Sequence, residues 1–332
     1  MTVPAHLAAE LPQALKVWQT EGKHRFYCNG RIMVGPDINV SIFAATLTTG
    51  SCMLFWVFVC AQLSPRLHLA VTVGGVVLYL ISLVFMVLTA TTDPGILPRN
   101  PFMEDSEAGQ RAQEVRTDVV NGLTVQLKWC KTCRIWRPPR ASHCSECNVC
   151  VERFDHHCPW MGQCIGKRNY RYFLGFVCST SALSVYTIGW SAYVFSEVLR
   201  VMRARSFVDG FGDAIGRAPS SGALVVFAAL VLLCVGPLGC YHCSLICENR
   251  TTSEEIKQPY GRDANPFDRK SWRVNCHEVC CEPRQPSLVQ MHSKMHSIAV
   301  CKEDAVSLMS KKGAGGESVA TESQLGESQA DD

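Results

Sequence analysis

Residues 40–63 and 67–90 are two runs of about 24 residues without a single Asp, Glu, Lys or Arg, joined by the tripeptide Ser64-Pro65-Arg66. A helix rises about 1.5 Å per residue, so each run is long enough to cross the ~30 Å hydrocarbon layer of a bilayer. Buried helices of soluble domains keep charge on an outer face, and these runs have none. A third run, residues 172–199, carries one acid, Glu197, near its end, and a fourth, residues 223–247, carries no charge. The expected fold class is therefore an α-helical polytopic membrane protein with four transmembrane helices. Pro237 and Gly239 in the fourth run predict a kink, which a membrane bundle tolerates because neighbouring helices satisfy the freed backbone groups.

Charge distribution predicts the topology. Of the 32 Lys and Arg residues, 27 fall in the N-terminal segment, the loop between spans two and three, and the C-terminal segment. An even number of spans places those three on one side, and the positive-inside rule makes that side the cytosol. No cleaved signal peptide is expected. The expected division is an N-terminal segment 1–39, a helical pair 40–90, a soluble module 91–171, a second helical pair 172–247, a C-terminal segment 248–302 and a tail 303–332. The tail is small, polar and acidic, the composition of a disordered segment. Within the first segment, "RFYCNGRIMVGPD" predicts a brief extended or hairpin element at the membrane surface. No internal repeat is evident.

Nineteen cysteines would suit a disulfide framework in a secreted protein. Here the densest group sits in a loop assigned to a reducing compartment, which favours metal binding or catalysis. Cys52, Cys60, Cys178 and Cys234 lie in the spans and read as small hydrophobes. Between residues 130 and 164 the candidates are Cys130, Cys133, His143, Cys144, Cys147, Cys150, His156, His157, Cys158 and Cys164. Three Cys-x2-Cys spacings occur, each able to bring two sulfurs to one tetrahedral ion.

His143 and Cys144 are neighbours, and neighbours in an extended segment point to opposite sides. That favours an interleaved scheme: Cys130, Cys133, His143 and Cys150 on one zinc, with Cys144, Cys147, His157 and Cys164 on another. A sequential scheme with the first four cysteines on one ion is the alternative. Either leaves more candidates than two closed sites need. In the interleaved scheme the residues left over are Cys158 and His156 beside Asp155, the parts of an activated cysteine nucleophile. The basic residues around Lys128, Lys131, Arg134, Arg137 and Arg140 read as juxtamembrane charge rather than a nucleic-acid surface.

The segment "KWCKTCRIWRPPRASHCSECNVCVERFDHHCPWMGQCIGKRNY" resembles the DHHC cysteine-rich domain of protein S-acyltransferases (palmitoyltransferases). "TTDPG" at 91–95 looks like that family's Asp-Pro-Gly motif, "TTSE" at 251–254 like its Thr-Thr-x-Glu motif, and "NPFDRKSWRVNC" like the start of its C-terminal motif. The N-terminal stretch is similar to a subgroup that includes acyltransferases of Ras-type GTPases and some plant members. The resemblance implies two structural zinc ions in the interleaved pairing, Cys158 as the acyl-accepting nucleophile, and Asp155 with His156 as the groups that activate it. It also implies that Thr252 packs near Asp155 and that Asn275 makes a structural hydrogen bond. One departure is Gln163, where members usually carry Asn.

Such an enzyme would take palmitoyl-CoA or a similar acyl-CoA and act on proteins with a cysteine near the bilayer. Arg137, Arg140, Lys167 and Arg168 are candidate contacts for the CoA phosphates, and Trp160 for the mouth of the acyl site. An endomembrane (Golgi or ER) or the plasma membrane is the expected location, with both termini cytosolic. A small accessory subunit is a candidate partner and nucleic acid is not. Rival classes are a silent zinc adaptor, which has no use for an uncommitted Cys158 beside an Asp-His pair, and a thioesterase, for which no separate water-activating base is evident. A transporter would show buried ionisable residues in its spans, where only His242, near a span end, is a candidate. In "NCHEVCCEP", residues 275–283, Cys280 and Cys281 read as packed thiols, as a third metal site with Cys276 and His277, or as S-acylation acceptors.

Overall fold

The computed structural model describes residues 22–28, 32–100, 110–202, 207–261 and 265–289. Four of its helices are long and apolar enough to cross a membrane. Helix α1 (Ile38–Leu54) continues through a π-helical turn, Phe55–Val59, and a 3-10 turn, Cys60–Gln62. Helix α2 (Pro65–Thr91) starts with Ser64 as N-cap and Pro65 in its first turn, where the missing N–H is no loss. The third and fourth spans are α3 (Tyr170–Met202) and α5 (Pro219–Cys247), and the latter runs on through Pro237. Each helix begins two to four residues ahead of its apolar run.

Helix α3 packs along both α2 and α5 and forms the centre of the bundle. Small and hydroxylic residues allow the close approach. A Cβ on Gly175 would sit 2.7 Å from the Phe85 ring, so α2 and α3 meet there only because the position is glycine. Ser82 and Thr180 share a buried 2.7 Å hydrogen bond across the same pair, and the Tyr186 hydroxyl donates to the Val71 carbonyl at 2.8 Å. Between α3 and α5 lies α4 (Phe207–Arg217), a helix within a segment read from sequence as loop. Cys52 and Cys60 are buried, whereas Cys178 and Cys234 are exposed on the outer surface of their helices.

The soluble module is built from short hairpins. Strands β1 (Arg25–Tyr27) and β2 (Ile32–Val34) pair antiparallel ahead of α1, as the N-terminal stretch predicts. Strand β3 (Ile96–Leu97) follows α2 directly and joins β8 (Val149–Val151) and β7 (Ser142–Cys144) in one sheet. Strands β4 (Arg116–Val120), β5 (Leu123–Cys130) and β6 (Ile135–Arg137) form a second, and β9 (His156–Cys158) pairs with β10 (Gln163–Ile165). Two short helices, α6 (Thr252–Lys257) and α7 (Trp272–Cys280), complete the described chain. The expected disordered tail, 303–332, lies outside the described residues.

The exit from α2 is locked to this module through Asp93. Its Oδ1 accepts from the Gly95 and Ile96 amides at 2.8 and 2.9 Å, while Oδ2 meets Arg168 at 2.8 Å and Ser287 at 2.6 Å. Gly95 has φ 111°, a conformation that a side chain would strain. The Asp-Pro-Gly sequence thus turns the chain from a membrane helix straight into β3.

Candidate active site and metal centres

Three hairpins in succession place the eight metal-type ligands. Cys130 ends β5 and Cys133 sits in the turn before β6; Cys144 ends β7 and Cys147 sits in the turn before β8. After each turn cysteine comes a residue with positive φ, Arg134 at 52° and Asn148 at 54°. The Cys133 amide donates to Cys130 Sγ at 3.4 Å, and the Cys147 amide to Cys144 Sγ at 3.5 Å. The turn of one hairpin therefore offers two sulfurs, and the strands of the next offer a cross-strand His/Cys pair. His143 stands opposite Cys150 in the β7–β8 register, and His157 opposite Cys164 in β9–β10.

The resulting groups are Cys130, Cys133, His143, Cys150 and Cys144, Cys147, His157, Cys164. Each ligand of the second lies 14 residues after its counterpart in the first, so the module is an internal repeat. The sequence reading missed it because only the ligands recur, while the residues between them differ.

The donor geometry fits zinc. In the first cluster, His143 Nδ1 lies 3.6, 3.4 and 3.7 Å from the sulfurs of Cys130, Cys133 and Cys150. In the second, His157 Nδ1 lies 3.6, 3.4 and 3.6 Å from those of Cys144, Cys147 and Cys164. A tetrahedral zinc with its usual bond lengths sets nitrogen and sulfur about 3.6 Å apart. The same cysteines are much of the module's core: Cys144, Cys147 and Cys164 pack with Met33, Ile96 and Val149, and Cys130, Cys133 and Cys150 with Leu97. Metal held by these ligands would add to the stability of a core this thin.

Cys158 belongs to neither group. It ends β9 ahead of the Pro159–Met161 turn, is 9% exposed, and belongs to one apolar cluster with Met161, Ile165, Met86, Phe173 and Ile246, against which Ala44 also packs, so that all four spans contribute. Two residues earlier, His156 Nδ1 lies 2.7 Å from Asp155 Oδ2. Asp155 is buried, and its other oxygen accepts from the Thr252 amide at 2.8 Å. Burial alone would push His156 down, but its hydrogen bonds to Asp155 and Cys158 outweigh that and raise it to about 9. Burial opposes the Asp155 charge, and the hydrogen bonds from His156 and Thr252 more than offset it, holding the carboxyl below its ordinary range. The group is a thiol with a proton acceptor and an orienting carboxylate, the constellation of nucleophilic acyl transfer.

A family model described as DHHC palmitoyltransferase matches residues 123–259. Palmitoyltransferase ZDHHC18 of Mus musculus is 36% identical over 293 residues, covering 83% of this chain and 75% of that protein. Palmitoyltransferase ZDHHC9 of Danio rerio is 38% identical over 291 residues, 82% of this chain and 74% of the relative. The chain belongs to the DHHC palmitoyltransferase family. Probable protein S-acyltransferase 5 of Arabidopsis thaliana is 36% identical over 292 residues, 82% of this chain and 59% of that longer protein.

In this DHHC palmitoyltransferase family member the C-terminal motifs act as supports. Thr251 caps α6 in a reciprocal box with Glu254, which points the first amides of the helix at Asp155. Glu254 in turn takes two bonds from Arg140, at 2.8 and 2.7 Å. Asn275 is fully buried and donates to the Cys247 carbonyl and to Asp268, both at 2.7 Å, closing α7 onto the end of α5. Gln163 is fully buried and donates to the carbonyls of Thr89 and Thr92 at 2.8 and 2.9 Å, capping the C-terminus of α2.

Two residues proposed for CoA phosphates are otherwise engaged. Arg140 and Arg168 are bonded to Glu254 and Asp93, with side chains 9% and 8% exposed, and so serve as internal braces. Their acids lie 114 and 75 residues away in sequence, beyond the reach of local pattern reading. Lys167 pairs with Glu152 at a more open position, Arg137 bonds the Lys128 carbonyl, and Trp160 is 56% exposed. Lys128, Arg137 and Lys257, together with Phe154, line a cavity of about 520 Å³ against α6. Burial and then the charges of Arg137 and Lys128 lower Lys257.

In the C-terminal stretch, Cys276 and Cys280 pack against the apolar cluster around Cys158 while Cys281 is exposed. Among the described residues, the metal-type groups do not include Cys276 or His277. Two residues near the sites escaped the sequence reading of roles. Asp37 reaches the second cluster through a 2.7 Å bond to His157 Nε2, and His242, flagged only as an ionisable group in a span, lies beside Asp155 and His156. Asp37 has no sequence signal beyond its position ahead of α1.

Proposed function

We propose that this protein moves a long-chain fatty acyl group from acyl-CoA to cysteine thiols of other proteins, with Cys158 carrying the acyl group between two half-reactions. One observation carries the reading: on the very hairpin that supplies metal ligands His157 and Cys164, Cys158 is left uncommitted, buried among the membrane helices and next to the Asp155–His156 pair. In the first half-reaction His156 accepts the thiol proton, sulfur attacks the thioester carbonyl, and the bond to CoA breaks as CoA leaves with a proton. In the second, a substrate thiol attacks the acyl-enzyme, the Cys158–acyl bond breaks, and the Cys158 thiol is restored. One thioester replaces another, so no ATP is needed. Asp155 orients His156 and stabilises the imidazolium that forms. Zinc held by Cys130, Cys133, His143 and Cys150 and by Cys144, Cys147, His157 and Cys164 would supply folding free energy and fix the hairpin that carries Cys158.

The nucleophile stands where an acyl chain passes from water into lipid. The groove with Lys128, Arg137 and Lys257 suits the CoA phosphates, and Trp160 the interfacial mouth. With the basic segments on the cytosolic side, both termini and the metal module face the cytosol of an endomembrane or the plasma membrane. Incubating the purified protein with labelled palmitoyl-CoA tests the reading. A hydroxylamine-sensitive label on Cys158 supports it, and an unlabelled Cys158 in zinc-replete protein refutes it.

A further inference from the structure

Acyl transfer as written above leaves one buried imidazole unused. His242, in α5, is 1% exposed and shares a 2.9 Å hydrogen bond between its Nδ1 and the Tyr170 hydroxyl. A nitrogen of His242, a nitrogen of His156 and an oxygen of Asp155 all lie within 4.8 Å of one another. An ionisable ring buried near the end of a membrane span is costly to place there and usually serves a purpose.

Its surroundings are aromatic. The Phe173 ring lies edge-on to both imidazoles, with centroids 5.2 Å from His156 and 5.0 Å from His242, and the two imidazoles are 6.1 Å apart. Tyr170 and Phe173, three residues apart on α3, share a helix face, and Tyr170 packs on His242 at 5.6 Å. Phe173 from α3 and His242 from α5 thus flank the His156 ring, with Tyr170 packed on His242.

Asp155, His156 and His242 also have the donor types of a cation site. Against an ion, Asp155 Oδ2 and His156 Nδ1 already bond each other at 2.7 Å, a contact that a shared metal would have to break. The arrangement suits alignment better. His156 is held through one nitrogen by Asp155, and small misplacements of a catalytic group are expensive in rate.

We infer that His242, anchored by Tyr170, is a positioning residue for acyl transfer: it keeps the Asp155–His156 pair oriented so that the imidazole faces Cys158. This rests on the Cys158 acyl-enzyme reading. It involves no bond made or broken by His242 itself.

The test measures the rate of acyl-enzyme formation in full-length, detergent-purified protein with labelled palmitoyl-CoA. His242→Phe keeps a ring but removes its nitrogens, and should slow the reaction about tenfold. The palmitoyl-CoA concentration for half-maximal rate and the content of two zinc ions should stay the same. His242→Gln, whose amide can still bond Tyr170, should return to within about threefold of the parent. In an Asp155→Asn background, His242→Phe should add less than about twofold, because the residue acts through that pair.

A parent-like rate for His242→Phe, or an undiminished tenfold loss in the Asp155→Asn background, overturns the inference. Should His242→Phe lose zinc or fail to fold, Tyr170→Phe decides in its place: slowing of about threefold supports the inference and an unchanged rate overturns it. An unchanged rate for Asp155→Asn alone would instead sink the acyl-transfer reading beneath it. A slow Asp155→Asn with a parent-like His242→Phe removes only His242.

Discussion

Asp37 Oδ2 lies 2.7 Å from Nε2 of His157, joining the residue that precedes the first membrane helix to a ligand of the second metal cluster. With His157 Nδ1 turned toward three sulfurs, the carboxylate fixes the tautomer and the ring plane. The same hairpin approach brings the Asp37 amide to the Gly162 carbonyl at 3.2 Å, and leaves no room for a Cβ on Gly35 against Gly162 and Gln163. Asp37→Ala should lower zinc affinity at this one site by about 10- to 100-fold. Chelator competition read by zinc content should show one ion of two leaving early, and equal release of both from parent and variant would contradict it.

Arg140 and Glu254 form a two-bond pair with both side chains 9% exposed, set between the metal module and the cap of α6. Removing one partner strands the other charge, which typically costs about 3–5 kcal/mol. Glu254→Gln should lower thermal stability in detergent and slow acyl-enzyme formation, because the Thr252 amide loses its hold beneath Asp155. A variant with the parent's melting temperature would show that the pair is structurally dispensable.

Cys158→Ser should abolish the hydroxylamine-sensitive label while retaining two zinc ions and the parent's melting temperature, since Cys158 belongs to neither ligand group. Cys147→Ser should do the reverse of the second part, losing metal and fold together. Zinc loss from Cys158→Ser would mean the ligand assignment is wrong.

Lys128, Arg137 and Lys257 share one groove, whereas Arg168 is braced against Asp93. Lys257→Ala and Arg137→Ala should raise the KM for acyl-CoA several-fold, steeply relieved at high ionic strength, with kcat little changed. Arg168→Ala should lose stability with the KM retained. A parent-like KM for the double variant Arg137→Ala/Lys257→Ala would move the CoA site elsewhere.

Acid-imidazole assistance gives a fifth measurable consequence. Asp155→Ala and His156→Ala should slow self-acylation by about 10²- to 10⁴-fold without releasing zinc. Unchanged initial rates in both would leave Cys158 activated by another group.

Much of this molecule was legible along the chain. Charge-free runs mark the spans because a bilayer rejects charge wherever it stands in the fold, and the Cys/His spacing names the ligands because a tetrahedral ion accepts few side-chain types at short range. Ligand counting then left Cys158, His156 and Asp155 together. Arg140, Arg168, Asp37 and His242 were a different matter: alone in a sequence, a basic or acidic residue near a membrane looks the same whether it meets a phosphate, a metal ligand or an internal partner.

What the sequence by itself determined is the partition of the chain between lipid and water, the ligand set and the uncommitted thiol, all set by residue type and local spacing. Tertiary structure alone decided which cations are braces and which line a groove, that Asp37 backs a ligand of the second cluster, and that His242 stands beside the Asp155–His156 pair. The physical reason is distance along the chain. Arg140 meets Glu254 across 114 residues and His157 meets Asp37 across 120, and such pairs exist only once the membrane helices have brought their ends together.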